Sequence, residues 1–187
     1  MHDIAVIDFE NLLLKEDYNE LELSKWREIG DKVYKATSEY GFFYIENHGI
    51  EKKYIDEQFD IVKNYFELSN AEKLPYSIQT DNYGYCGLDQ EALDETTKPD
   101  PKELFNVMTS TGSVPKERIP PYFQENNDKI KEFYHQCHQL SMKILRSFAF
   151  GLKLKDYKFF DNSNKIEERS GTTLRYLHYP PIPNVTE

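Results

Sequence analysis

Gly41-Phe42-Phe43-Tyr44-Ile45-Glu46-Asn47-His48-Gly49-Ile50 is the stretch around which the rest of the chain is organised. Residues 42–45 are four large apolar or aromatic side chains in succession, which suits a strand covered on both faces. Asn47, His48 and Gly49 tolerate a sharp reversal, and Gly49 is free to take a positive φ. His48 reads as a turn residue whose ring bonds to nearby backbone. Helical patterns lie on either side, so the local order is helix, buried strand, turn, helix.

Working outward, residues 4–9 read as a short first strand. After an acidic linker, Ser24 is placed to cap a helix that runs to about Tyr40. Trp26, Ile29, Val33, Ala36 and Tyr40 recur at three- and four-residue steps and form one apolar stripe. Gly41 stops this helix. Downstream, a second helix from about Lys52 to Leu68 would bury Ile55, Phe59, Val62 and Phe66. Ser69 and Glu72 have capping-box spacing and start a further short helix.

Residues 75–121 lose all periodicity and are rich in Asn, Asp, Thr, Gly and Pro. Aromatic islands at Tyr83-Gly84-Tyr85 and Leu104-Phe105 favour an ordered loop that lines a cleft. The longest helix follows Pro120-Pro121 and runs to about Phe150. Its apolar face comprises Ile130, Phe133, Tyr134, Cys137, Ser141, Ile144, Leu145 and Phe148, and Gly151 is suited to the left-handed position after its end. Residues 172–179 alternate as a strand, with Arg175, Leu177 and Tyr179 on one side and Tyr176 and His178 on the other.

Composition narrows the function. With 187 residues, 39% hydrophobic and 30% charged, the chain belongs with globular proteins. An aromatic content of 14% points to a core or cleft built from rings. The net charge of −10 argues against a sequence-independent grip on nucleic acid. No segment approaches the roughly 20 apolar residues that span a bilayer, so no membrane partner is expected. Two cysteines, Cys86 and Cys137, make no disulfide framework, and the N-terminus lacks a basic region followed by an apolar run. A reduced, cytoplasmic setting without a secretory signal is the expectation.

The histidines are His2, His48, His135, His138 and His178. A non-haem iron(II) centre needs two His and one carboxylate on one face of the metal. None of the five is followed two positions later by Asp or Glu, so no metal ligand is assigned. Glu132 and His135 have the spacing of a di-iron helix motif, but the motif lacks its required second copy. At 100° per residue the pair also points away from the apolar face. Arg175 and Tyr179, on one side of a strand, form a pair able to bind a carboxylate. A surface Arg beside a packed Tyr fits the same pattern.

Six stretches in order resemble the isopenicillin N synthase-like iron(II) oxygenases, many of which use 2-oxoglutarate. They are residues 4–9, residues 41–50, residues 68–73, Gly84-Tyr85 with Glu91, residues 100–105 and residues 173–183. The resemblance implies an α+β fold, with N-terminal helices packed on an incomplete double-stranded β-helix, or jelly roll. It implies a non-haem dioxygenase N-terminal domain over residues 1–171, and the first strand of the oxygenase domain over 172–187. The implied cofactors are Fe(II) and 2-oxoglutarate, and the implied partner is a small-molecule substrate. The family's His-x-Asp and distal His have no counterpart in this chain, which alone is expected to be inactive. Carried over by motif, Tyr179 is a cofactor-binding candidate, although Leu177 stands where some members have Asn; Arg175, on the same side of the expected strand, is the second candidate. Tyr83, Tyr85 and Phe105 are substrate-pocket candidates. Unpaired strands of an unfinished barrel would favour self-association. A non-catalytic binding module derived from the same family is the alternative.

Overall fold

The computed structural model describes residues 4–92, 96, 98–107, 114–165 and 172–181. These fall into two compact units, one within Met1–Glu51 and His135–Ile166, the other within Lys52–Tyr134 and Glu167–Glu187. Both helices and sheets are present, as expected for an α+β chain. No helix among the described residues is long and apolar enough to cross a membrane.

In the first unit, β1 (Val6–Asp8) and β2 (Tyr44–Glu46) pair in parallel, Ile7 opposite Ile45. A parallel pair needs a crossover, and α1 (Glu20–Tyr40) supplies it. The cap of α1 is Asn19, not Ser24. The Asn19 side chain accepts from the Glu22 backbone while the Glu22 carboxylate accepts from the Asn19 N–H, and the helix therefore starts earlier. Its end is as expected, with Gly41 left-handed at φ 82°. Trp26, Ile29, Val33 and Ala36 are buried, whereas Tyr40 is exposed.

The expectation of a strand buried on both faces is corrected here. Phe42 is 54% exposed and Tyr44 60% exposed, while Phe43 and Ile45 pack on the core with Ile7, Phe9 and Trp26. Alternation sends successive side chains to opposite sides, and in this unit only one side of the two-stranded sheet is covered. The following turn behaves as read. Asn47 and Gly49 take φ 52° and 89°, and His48 Nδ1 accepts from the Ile50 N–H at 3.1 Å. Asn47 also donates to Asp8 Oδ1 at 2.9 Å, which ties the turn to β1.

The predicted single helix after Pro120 is two, α4 (Pro121–Glu125) and α5 (Asn127–Gly151), broken at Asn126. Within the first unit α5 buries Met142, Arg146, Ser147 and Ala149, whereas Ser141 is exposed and turns its hydroxyl back to the Cys137 carbonyl. Arg146 donates to the Lys15 carbonyl, to the Tyr18 hydroxyl at 2.6 Å and to Asp161. Long-range bonds from one guanidinium thus hold the acidic linker and the segment after α5. Gly151 is helical rather than left-handed, and Lys153 takes the positive φ of 55°. The reason is packing. A Cβ on Gly30 would lie 2.7 Å from the Gly151 nitrogen, and a Cβ on Gly151 would collide with the Gly30 carbonyl.

In the second unit, α2 (Lys52–Phe66) buries Gln58, Ile61, Tyr65 and Phe66. Phe59, expected inside, is 70% exposed. Gln58 displaces it because both ends of its amide find partners, the nitrogen donating to the Lys129 carbonyl at 3.3 Å and the oxygen accepting from the Tyr176 hydroxyl at 2.8 Å. The Ser69–Glu72 box opens α3 (Asn70–Lys73) as read. The stretch expected to be irregular contains two strands, β3 (Gly84–Cys86) and β4 (Glu103–Val107). With β5 (Leu174–His178) they form an antiparallel sheet in the order β3-β4-β5.

Substitution of Gly30 by Ala should cost about 1–3 kcal/mol, the range for overpacking a close contact. Urea unfolding followed by circular dichroism reads the loss, with Ser24→Ala as a near-neutral comparison because Ser24 is not the cap.

Candidate functional site

Register divides the three-stranded sheet into two faces. Tyr85 pairs with Phe105 and Phe105 with Tyr176, while Glu103 pairs with His178. These side chains share the side toward α2 and α4. There Tyr65 stacks on Phe123 with centroids 4.4 Å apart, and Phe105 meets both edge-on at 5.3 and 4.7 Å. Part of the aromatic content read from composition is spent on this core.

One end of the same face carries charge. Glu103 is 5% exposed and accepts from Lys73 Nζ at 2.8 Å, the Tyr85 hydroxyl at 2.5 Å and His178 Nδ1 at 2.8 Å. Lys73, also buried, donates in addition to the Phe66 carbonyl, and Phe66 stacks on His178. Burial by itself would push the Glu103 carboxyl up. The bonds from Lys73, Tyr85 and His178 prevail and hold it below the usual glutamate range. Burial and the Glu103 charge push the Tyr85 phenol up, so it stays a donor.

The other face holds Cys86, Leu104, Asn106, Arg175 and Leu177. Asn106 is fully buried and donates to both oxygens of Asn82 at 3.1 Å. Its own Oδ1 accepts from Arg175 Nε at 2.9 Å. Arg175 also lies 3.3 Å from Glu91, which pairs with Lys102 at 2.9 Å. Lys102 and Arg175 lower the Glu91 carboxyl, and Asp100 and Glu91 raise the Lys102 ammonium. Burial raises the Cys86 thiol, which disfavours the reactive thiolate. Leu177 is 48% exposed. Tyr179, just past the strand, is 60% exposed and its hydroxyl has no partner among the described residues.

Arg175 lies on the side of β5 opposite Tyr176 and is already engaged, and Tyr179 follows the strand's end. Tyr83, Tyr85 and Phe105 gather on the helix-packed side. Tyr83 lines a cavity of about 460 Å³, whereas Tyr85 and Phe105 are buried behind it. Among the described residues no group of three or more His, Cys, Asp or Glu could hold a metal ion. Glu132 and His135 are exposed on α5, and His138 Nε2 bonds to the Asn164 carbonyl at 2.7 Å. His2 lies outside the described residues.

Sequence reasoning did not single out Lys73, Asn106 or Gln58, nor Glu103 as a buried acid. The signal available was position. Glu103 directly precedes the apolar pair Leu104-Phe105, so an alternating strand would carry it inward with Phe105.

Residues 4–138 match the family described as non-haem dioxygenase in morphine synthesis N-terminal. The chain is 30% identical to a homoarginine-6-hydroxylase of Arabidopsis thaliana over 190 residues, covering 95% of this chain and 56% of that protein. It is 25% identical to a full-length Neurospora crassa protein solved in complex with alpha-KG, with a TM-score of 0.68, covering 95% of this chain and 54% of that one. A 2OG-Fe(II) oxygenase family protein of Caulobacter crescentus has the same fold, with a TM-score of 0.72 at 21% identity, over 97% of this chain and 57% of that one. The chain spans about half the length of the curated relatives it matches.

Replacing Glu103 by Gln leaves Lys73 buried without its counter-charge and should destabilise by about 3–5 kcal/mol. The pH dependence has a definite sign. A carboxyl whose folded pKa is depressed contributes stability above its unfolded value, about 4.3 for Glu, and loses it as pH falls through the folded one. Thermal melts between pH 7 and pH 3 should show this acid limb in the native chain and a shallower one in Glu103→Gln.

Proposed function

The chain belongs to the non-haem dioxygenase N-terminal family, and from that premise we propose that it is the N-terminal part of an Fe(II)/2-oxoglutarate-dependent oxygenase that oxidises a small organic substrate. The observation that carries the reading is the family match over residues 4–138, continued by relatives that align over 95% of the chain and are longer than it. In this reading the β3-β4-β5 sheet is the beginning of a jelly roll, and residues 172–187 open the oxygenase domain.

Iron does not fit the described residues, which offer no cluster of three ligands. In this reading the metal is held elsewhere in the full protein, and this chain alone turns nothing over. For 2-oxoglutarate the fit is better. Tyr179 is exposed, with a hydroxyl unengaged among the described residues, and can donate to a carboxylate, while Arg175 adds positive charge on the same side of the strand. Glu91 competes for Arg175, so Tyr179 is the direct contact and Arg175 the supporting one. Tyr83, Tyr85 and Phe105 act as the aromatic backing of a small-molecule pocket. Among the described residues the outer side of β5 has no strand partner, and that of β3 has only a single bridge from Ser77. These edges favour self-association of the isolated chain.

The coding frame past codon 187 gives the direct test. A His-x-Asp within about 100–150 further codons, one ordinary domain, supports the oxygenase; a stop codon immediately after overturns it. Calorimetry of the 187-residue chain with iron(II) should show no tight stoichiometric binding, and no succinate should form from 2-oxoglutarate. Light scattering should find mass above that of a monomer; a monodisperse monomer with a cooperative melt would count against open edges.

A further inference from the structure

The cavity beside Tyr83 lies away from Arg175 and Tyr179. Tyr83 and Val107 belong to the helix-packed side of the sheet, whereas Arg175 and Asn106 occupy the opposite side. At about 460 Å³ it is within the range of small-molecule pockets. Every residue of its described lining comes from the second unit.

Its walls are apolar and aromatic. Val107, Phe123 and Ile130 are each at least nine-tenths buried, and Ile119 packs against the same cluster. Polar character comes from Lys116, Gln124, Asn127 and Lys131, and the described lining contains no carboxylate. Both lysines are exposed at its rim, and neither has an ion-pair partner among the described residues. Nearby Arg118 is different, since Asp81 holds it through two bonds at 2.5 and 3.1 Å. In a chain of net charge −10, an unneutralised pair of ammonium groups around an apolar cavity is an exception to the surrounding field.

Tyr83 also lines the cavity, and its side chain is 3% exposed. Burial raises its pKa, so it remains a donor.

We propose that this cavity is a second ligand site, which takes a flat aromatic acid bearing one anionic head, the ring against Phe123 and Ile130 and the head between Tyr83, Lys116 and Lys131. Tyr83 is shared with the pocket of the oxygenase reading, but binding of a small acid by this chain alone does not depend on that reading. An acid suits the site better than a neutral aromatic because two unneutralised ammonium groups border it and no acidic side chain belongs to the described walls. A polyanion suits it less, since only two cations stand at a largely apolar surface.

The matched fluorescent pair 8-anilinonaphthalene-1-sulfonate and N-phenyl-1-naphthylamine separates charge from apolar burial. The sulfonate should bind the 187-residue chain saturably at one site, and the neutral amine at least tenfold more weakly. Unlabelled 2-naphthoate should displace the sulfonate where 2-naphthamide does not. The double variant Lys116→Ala/Lys131→Ala should lose at least fivefold in sulfonate affinity with its melting temperature unchanged, because both positions are exposed. Ile119→Trp, which fills the cavity, should abolish binding of both probes. Equal affinity for the two probes, or sulfonate binding by the double lysine variant as tight as that of the native chain, would overturn the proposal.

Discussion

Every residue of β4, from Glu103 to Val107, is buried. A strand in that position must satisfy its polar side chains inside the protein, because an unpaired buried charge or amide costs several times what an ordinary contact contributes. Glu103 is met by an ammonium, a phenol and an imidazole. Asn106 is met by Asn82 and Arg175. These partners come from α3, β3, β5 and the turn before β3, so the polar groups of one strand fix the positions of its neighbours as firmly as the backbone ladder does.

The same constraint separates the two faces. Phe105 and Val107 commit one side to Tyr65, Phe123 and Ile130, which completes a ring-packed core with α2 and α4. Asn106 commits the other side to Arg175, and through it to Glu91 and Lys102. Arg175 and the apolar cavity beside Tyr83 lie on opposite sides of one sheet because residues alternate along β4 and β5. The first unit depends on a different kind of contact. There the backbones of Gly30 and Gly151 meet without side chains between them, and Arg146 ties the linker before α1 to the segment after α5.

Local chemistry was legible wherever a structure is decided within four or five residues. The stop at Gly41, the turn through Asn47 and Gly49, and the Ser69–Glu72 box were all readable, since each depends on neighbours in sequence. The Asn19–Glu22 box was equally local, but the acidic residues around it resemble linker. The inward side of α2 was not readable. Hydropathy favours Phe59 over Gln58, and only a distant tyrosine, Tyr176, makes Gln58 the residue to bury. Likewise β3 and β4 carry loop-like composition on either side, and they become strands because β4 finds β5 some seventy residues later.

By itself the amino-acid order determined that helices flank the first strands, the stop at Gly41, the family resemblance and the absence of a His-x-Asp, because these are matters of residue type at short spacing. Only the tertiary structure decided which face each helix buries, that Glu103 and Lys73 form an internal ion pair, and that Tyr83 borders a cavity while Tyr85 and Phe105 lie behind it. The reason is that burial is a property of pairs of elements far apart in sequence, and no pattern within one element states which partner will cover it.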